Sequence, residues 1–231
     1  MPQIAAREEH NAAFKITQLR ALANAAGVEL DLHLRRGEEP YREIVKEAGE
    51  RGSDLIVIRR IGERSFLAKL LVGEMVRKVV AHARCPVLIV DQGSRLFGQR
   101  VLVAAEPGAL GLRLVGTAAS LAAQHDLPLH VVCVAPEDAQ RQPAEAFLAK
   151  ALYLSTQQGA SAQTEARVGK PATEILESAK QCGADLIVIG SRGDGRIGRA
   201  FVGGVTQKIM GLSATLVLVV HPEGASKQAG P

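Results

Sequence analysis

Apolar runs of strand length alternate with amphipathic helical segments along most of the chain. Continuous runs such as Asp54–Ile58 are typical of buried parallel strands, whereas Val28–Leu34 alternates apolar with polar residues and indicates a half-exposed strand. The predicted strands are Val28–Leu34, Asp54–Ile58, Cys85–Val90, Arg100–Ala105, Leu129–Val134, Ser161–Val168, 185–190 and Thr215–Val220. The predicted helices are 5–26, Tyr41–Arg51, Glu74–Ala83, Ala109–His125, Ala144–Gln158, Pro171–Cys182 and one that begins at Gly203. This alternation predicts α/β architecture with parallel sheets and right-handed crossovers.

The two halves of the chain are a direct repeat. Gly52-Ser-Asp-Leu-Ile-Val-Ile matches Gly183-Ala-Asp-Leu-Ile-Val-Ile, and the first half has no counterpart of 100–134. We therefore expect an incomplete domain over 1–92, a linker that ends at Gly98, a complete domain over 99–221 and a disordered tail over 222–231.

Composition narrows the classes of function. The net charge of +4 is spread over 231 residues without a basic stripe or an aromatic platform, which argues against a nucleic-acid partner. No apolar run reaches membrane-spanning length, so no membrane association is expected. Three cysteines without a CxxC pair indicate reduced thiols and predict a cytoplasmic location.

One stretch carries the candidate chemistry. An apolar strand ends at Gly190, a loop rich in glycine and arginine follows, and a helix resumes at Gly203. A loop between a strand and a helix presents unpaired backbone N–H groups and the positive end of a helix dipole, which suits a phosphate group.

The spacing of Gly190, Gly193 and Gly203 nearly reproduces the motif G-x2-G-x9-G-(S/T) of the universal stress protein family, and both halves resemble that family's domain. The resemblance covers nearly the whole chain outside the tail, and the arrangement of two domains in one chain is similar to that of the family's tandem members. It implies tandem Rossmann-like parallel sheets with strand order 3-2-1-4-5 in the second domain, helices on both faces, frequent homodimerisation, and ATP or AMP binding in some members, with Mg²⁺ only if ATP is bound.

The resemblance also implies a set of ligand-binding residues in the second domain. Arg192 would add charge near the phosphates, Ile189 would touch the base or ribose, Val134 would lie near the adenine, and Glu106 stands where the family usually has an aspartate. The implied positions are Ala104, Glu106, Val134, Ile189, Gly190, Arg192, Gly193, Gly203, Gly204, Val205 and Thr206.

Two departures from the motif weaken the predicted site. Gly204 replaces the family's serine or threonine and so removes one hydroxyl donor, although Thr206 still offers a hydroxyl. Losing one neutral hydrogen bond costs about 0.5–1.5 kcal/mol, roughly tenfold in affinity at most. In the first half Arg59 replaces the first glycine and Glu74 occupies the helix start, so we expect no nucleotide there.

The shortened first half leaves its third strand without the family's first and second strands. Three explanations are open: a start site lies upstream, which we favour, a partner fills the gap, or the half rearranges. An apolar edge so exposed would favour association.

Two functions remain open at this stage. The second domain binds ATP or AMP and thereby alters dimer contacts or contacts with a regulatory protein partner, or the site is empty and the protein is a dimerisation scaffold. An enzymatic role has little support because no acid–base pair or metal cluster accompanies the loop, although slow ATP hydrolysis near Glu106 stays open.

Overall fold

A computed structural model describes residues 2–60, 73–91, 93–94, 96–191 and 201–221, with the side chains of 2–13 left undescribed. The described part divides into two compact units, 1–38 and 39–231. The predicted positions Arg192 and Gly193 lie outside the described residues, as does the 222–231 tail.

The elements follow the predicted alternation with small shifts at their ends. The α-helices are α1 (Pro2–Ala25), α2 (Pro40–Glu50), α3 (Glu74–His82), α4 (Ala109–Gln124), α5 (Arg141–Gln157), α6 (Pro171–Cys182) and α7 (Gly204–Leu212). The strands are β1 (Ile56–Arg59), β2 (Val87–Val90), β3 (Val101–Ala104), β4 (Leu129–Ala135), β5 (Ala162–Val168), β6 (Leu186–Gly190) and β7 (Leu216–Val220). A single 3₁₀ turn (Asp138–Gln140) precedes α5.

The first unit contains α1 and a segment without regular secondary structure, but no strand among its described residues. The prediction of a strand over Val28–Leu34 is therefore wrong for this structure. A strand needs a neighbour for its backbone groups, and this segment takes part in none of the strand pairs among the described residues. Val28 and Leu34 are accordingly exposed.

The second unit is built on one seven-stranded sheet of order β1-β2-β7-β6-β3-β4-β5. Its last five strands read 3-2-1-4-5 from the β5 edge, which confirms the predicted order for the second half. The pairs within each half are parallel, as expected. The exception is the antiparallel pair of β2 with β7, which joins the halves into a single sheet.

Helices cover both faces of this sheet. The helices α4 and α5 bury one face, through residues such as Val115, Ala118 and Leu148. The other face is buried by α2, α3, α6 and α7, through residues such as Val79 and Ile209. With aromatic residues scarce, both layers are built from Val, Ile, Leu and Ala, which suits buried parallel strands. Among the described helices, none is long and apolar enough to cross a membrane.

The side chain of Arg60 fastens the junction between the halves. It follows β1, and its Nε donates to Asp91 Oδ1 at 2.8 Å, while Nη2 forms an ion pair with the same carboxylate. Its remaining N–H groups donate to the carbonyl oxygens of Met210, Gly211 and Ser213 at 2.6, 3.1 and 2.9 Å. These oxygens belong to the C-terminal end of α7, where carbonyls lack helical partners and a cation is favourable.

We predict that Arg60→Met destabilises the protein by roughly 2–4 kcal/mol, because a partly buried carboxylate and three helix-end carbonyls lose their donor together. Arg59→Met is the matched control: Arg59 is exposed and adjacent in sequence. Urea unfolding of both variants measures the difference. Equal midpoints for the two would contradict the role of Arg60 at the junction.

Candidate functional site

The candidate site lies where the direction of sheet winding changes. Strand β3 pairs with β4 on one side and with β6 on the other. The chain therefore adds β4 and β5 on one side of β3 and then crosses over to add β6 and β7 on the other side. Ligands of open α/β sheets bind beyond the carboxyl ends of strands at such a switch point. A cavity of about 600 Å³ opens there, within the usual range for small-molecule sites.

The structure brings together every predicted site residue that it describes. Residues from three strand ends and one helix start line the same cavity, namely Ala104, Glu106, Val134, Ile189, Gly190, Gly203, Gly204, Val205 and Thr206. Strand register accounts for part of this convergence, because Ala104 is paired with Ile189 on β6 and with Val132 on β4.

The start of α7 presents backbone donors to the cavity. The first helical bond runs from the Gln207 N–H to the Gly203 oxygen at 2.9 Å. The N–H groups of Gly204, Val205 and Thr206 therefore have no acceptor within the helix, and Gly203 offers no side-chain cap. Three N–H groups at the positive end of a helix dipole form a binding surface for an anion.

Two hydrogen bonds fix this helix start against the end of β6. The Gly203 N–H donates to the Ser191 oxygen at 3.0 Å, and Thr206 Oγ1 donates to the Gly190 oxygen at 2.8 Å. The Thr206 hydroxyl proton is thus used inside the protein. It does not replace the donor missing at Gly204, contrary to what the sequence suggested.

Gly204 itself has room for a side chain. A Cβ atom placed there would meet nothing within 4 Å, and its backbone is helical. The glycine is therefore not required by packing or by backbone conformation among the described residues. A serine at this position would restore the hydroxyl that the family motif carries.

Gly111 on α4 is required by a close approach. A Cβ there would lie 1.9 Å from the carbonyl oxygen of Glu106, far inside van der Waals contact. The helix therefore holds the turn that carries Glu106 against the cavity wall. Gly108 in the same turn has φ +136°, a conformation that favours glycine.

Several lining residues were missed by the sequence reasoning. Arg113 and Thr117 on α4 and His221 after β7 all line the cavity. Arg113 and Thr117 are four residues apart and so lie on the same face of α4, and this spacing could have identified them from the sequence. His221 is placed by the pairing of Gly190 with Val220, which only the folded sheet reveals.

Cys133 also lines the cavity, and its side chain is buried. Burial, with a smaller contribution from the negative charge of Glu106, raises the pKa of the Cys133 thiol to about 11. Cys133 faces the α4 and α5 layer, whereas His130 on the same strand contacts Glu165 at 3.0 Å through Nε2. The two side chains therefore lie on opposite faces of β4.

A second polar cluster, centred on Glu165, lies along the β5 edge. Ser178 Oγ donates to Glu165 Oε2 at 2.6 Å, and Arg167 Nε donates to Oε1 at 2.8 Å. Burial acts to raise the pKa of Glu165, but the hydrogen bonds from Ser178 and His130 and the charge of Arg167 outweigh it and lower the pKa. Both carboxylate oxygens of Glu165 accept hydrogen bonds from other side chains, so this residue links β5 to α6 and does not serve as a general base. Within the described residues, no group of His, Cys, Asp and Glu is arranged to hold a metal ion.

The fold and the site define a doubly wound α/β protein with a ligand cavity at the switch point. The model of the Universal stress protein family matches residues 2–91 and 98–221, and the chain belongs to that family.

Individual relatives agree with this assignment. Universal stress protein YxiE of Bacillus subtilis is 32% identical over 112 residues, which are 48% of this chain and 75% of that protein. Stress response protein NhaX of the same organism is 34% identical over 76 residues, 33% of this chain and 46% of that protein. A universal stress protein structure from Archaeoglobus fulgidus has a TM-score of 0.75 at 22% identity, covering 92% of this chain and 77% of that one. The likeness in structure establishes the fold.

We predict that Gly111→Ala destabilises the protein by about 1–3 kcal/mol, because the new methyl group forces apart α4 and the Glu106 turn. The matched control is Gly116→Ala on the same helix, where the nearest atom, Gln158 Nε2, is 3.4 Å away. We expect that control to be neutral or slightly stabilising through helix propensity. Urea unfolding compares the two, and equal stabilities would refute the close approach.

We also predict that iodoacetamide leaves Cys133 unlabelled in the folded protein at pH 8. The thiolate is the reacting form, and a pKa of about 11 leaves about one thiol in a thousand ionised at that pH. Labelling should rise as the pH approaches 11 and should be complete in denaturant. Peptide mass mapping, with the less buried Cys85 and Cys182 as internal references, measures it. Rapid labelling of Cys133 at pH 8 would contradict its burial.

Proposed function

We propose that the second half of the chain binds an adenine nucleotide, AMP or ATP, in the switch-point cavity, as part of a stress-response role. The observation that carries the proposal is the convergence of three strand ends and the N–H groups of Gly204–Thr206, which have no acceptor within the helix, on one cavity of about 600 Å³. An apolar wall beside a cluster of backbone donors suits a ligand with a planar base and an anionic group.

The lining offers a partner for each part of such a ligand. Val134 and Ile189 supply apolar contact for the base, and the Glu106 carboxylate accepts hydrogen bonds from ribose hydroxyls. The start of α7 receives a phosphate group through backbone N–H donors. Exposed Arg113 lies at the same cavity and supplies a positive charge. Mg²⁺ would enter only together with the phosphates of ATP.

A second function has its own observation in support. The outer strand β1 exposes apolar side chains at a sheet edge, which favours a dimerisation or scaffold role. Under this alternative the cavity takes no ligand. A cytoplasmic location remains a prediction from the sequence.

Calorimetric titration of the full chain with AMP, ATP and adenosine tests nucleotide binding. We expect AMP to bind more tightly than adenosine, because only AMP carries the phosphate that the helix start would receive. Absence of heat with AMP and ATP up to about millimolar ligand would rule out the proposal, since such affinities fall below the range of a specific site.

A matched pair of variants tests where the phosphate lies. Gly204→Ser adds one hydroxyl donor in open space, and Gly204→Ala adds the same Cβ without the donor. We expect the serine variant to bind AMP about 2–10-fold more tightly than the alanine variant, with adenosine affinity equal in both. Equal AMP affinities would show that the phosphate does not lie at the start of α7.

A further inference from the structure

Arg60 and the N–H groups that face the cavity lie at opposite ends of one short helix. Helix α7 has nine residues and is therefore about 13 Å long. Arg60 donates to the carbonyl oxygens of Met210 and Gly211 in the last turn and of Ser213 just beyond it. These three contacts are the Arg60 clamp. A residue of the first half thus holds the helix whose first turn forms the candidate anion site of the second half.

The repeat shows that the clamp acts in one direction. Counted from the shared segment Asp-Leu-Ile-Val-Ile, Arg60 corresponds to Ser191. The Ser191 hydroxyl is buried and makes no hydrogen bond within the described part of the chain, so it does not hold α3, the counterpart of α7. Helix α3 begins with Glu74, whose carboxylate would repel an anion. Of these two helices, the one with the anion-accepting start is the one that an arginine from the other half holds.

The charge of Arg60 is largely balanced where it lies. Its guanidinium forms an ion pair with Asp91, so the two side chains together carry no net charge. An influence of Arg60 on the far end of α7 therefore comes through position. The helix transmits position well, because its internally hydrogen-bonded backbone moves as a rigid rod. A shift of its C-terminal end displaces its first N–H groups.

The start of α7 depends on a restraint at its other end. Two hydrogen bonds tie this start to β6, from Gly203 N–H to the Ser191 oxygen and from Thr206 Oγ1 to the Gly190 oxygen. Bonds at one end fix a point, whereas a restraint at the other end fixes the direction of the helix axis. Hydrogen bonds to an anion weaken steeply when the donor angle departs from the optimum. The direction of α7 therefore decides how well its first N–H groups meet a ligand.

We propose that Arg60 is a positioning residue for ligand binding, because its clamp sets the axis of α7 and thereby directs the first N–H groups of the helix toward the ligand's phosphate. The inference rests on the proposed binding of an adenine nucleotide in the second half. Loss of the clamp weakens the phosphate contact and leaves the apolar contacts of the base in place. By linkage, phosphate binding stabilises the clamp by the same factor.

Calorimetric titration of Arg60→Met with AMP and with adenosine tests the proposal. We expect the dissociation constant of AMP to rise about 3–10-fold, which is typical of coupling through packed elements, while adenosine affinity stays the same. Arg59→Met is the matched control, since Arg59 is adjacent and exposed, and it should bind both ligands like the wild type. Equal losses for AMP and adenosine in Arg60→Met indicate general damage to the cavity and overturn the proposal, as does an unchanged AMP affinity.

Arg60→Lys separates position from charge and serves where Arg60→Met does not fold. Lysine keeps the positive charge but lacks the planar fork of donors that contacts three carbonyl groups at once. We expect AMP affinity to fall in this variant too, by a smaller factor than in Arg60→Met, with adenosine affinity unchanged. A lysine variant that binds AMP like the wild type would show that charge suffices and would contradict positioning by the fork.

Amide hydrogen exchange measured by NMR tests the clamp without nucleotide. The reporters are the N–H groups of Gly203 and Gln207, whose hydrogen bonds at the start of α7 are 3.0 and 2.9 Å long. The reference is the Leu112 N–H, whose bond at the start of α4 is 3.1 Å long. In Arg60→Met both reporters should exchange at least about threefold faster relative to Leu112 than in the wild type, whereas global destabilisation alone speeds all three equally. An unchanged ratio overturns the proposal.

The two measurements separate failure of this inference from failure of the proposed function. A wild type that binds no AMP, together with faster relative exchange at the start of α7 in Arg60→Met, refutes the nucleotide and supports the effect of the clamp on this helix. A wild type that binds AMP, together with an Arg60→Met variant of unchanged AMP affinity and unchanged exchange ratio, supports the nucleotide and overturns the role of Arg60.

Discussion

The antiparallel pair of β2 with β7 is the contact on which the rest of the second unit depends. Val87–Ile89 pair with Val217–Val219 and continue the sheet from the strands of the first half into those of the second. Arg60 reinforces the junction from the first half by neutralising Asp91 and by capping the carbonyl end of α7. Without this pair β1 and β2 would form a two-stranded ribbon, which is marginal in water.

The same junction bears on the candidate site. Arg60 holds the C-terminal end of α7, while Gly203 and Thr206 fix its N-terminal end to β6. The helix whose first N–H groups face the cavity is thus restrained at both ends. Preorganised backbone donors need no reordering when an anion arrives, which lowers the cost of binding.

Strands β1 and β2 of the first half differ from their counterparts in the second half in how far they are buried. They extend the sheet of the second half through the junction, yet Leu55 and Val57 at β1 are exposed, whereas Leu186 and Val188 on β6 are buried. Identical local sequence produces a buried strand in one half and an exposed edge in the other, because burial is a property of neighbours.

Much of the fold and of the site follows from the sequence alone, whereas tertiary structure decided what depends on distant partners. Continuous apolar runs identified β1, β2 and β6, and the glycine spacing led to Gly203 and Gly204, because strand period and turn glycine are properties of neighbouring residues. Val28–Leu34 has the alternation of a strand but no ladder, since a strand exists only with a neighbour. The commitment of the Thr206 hydroxyl to Gly190 and the approach of Gly111 to the Glu106 carbonyl are contacts that no spacing indicates. The sequence determined the elements and the motif, and the packing of the sheet determined which of their atoms remain available to a ligand.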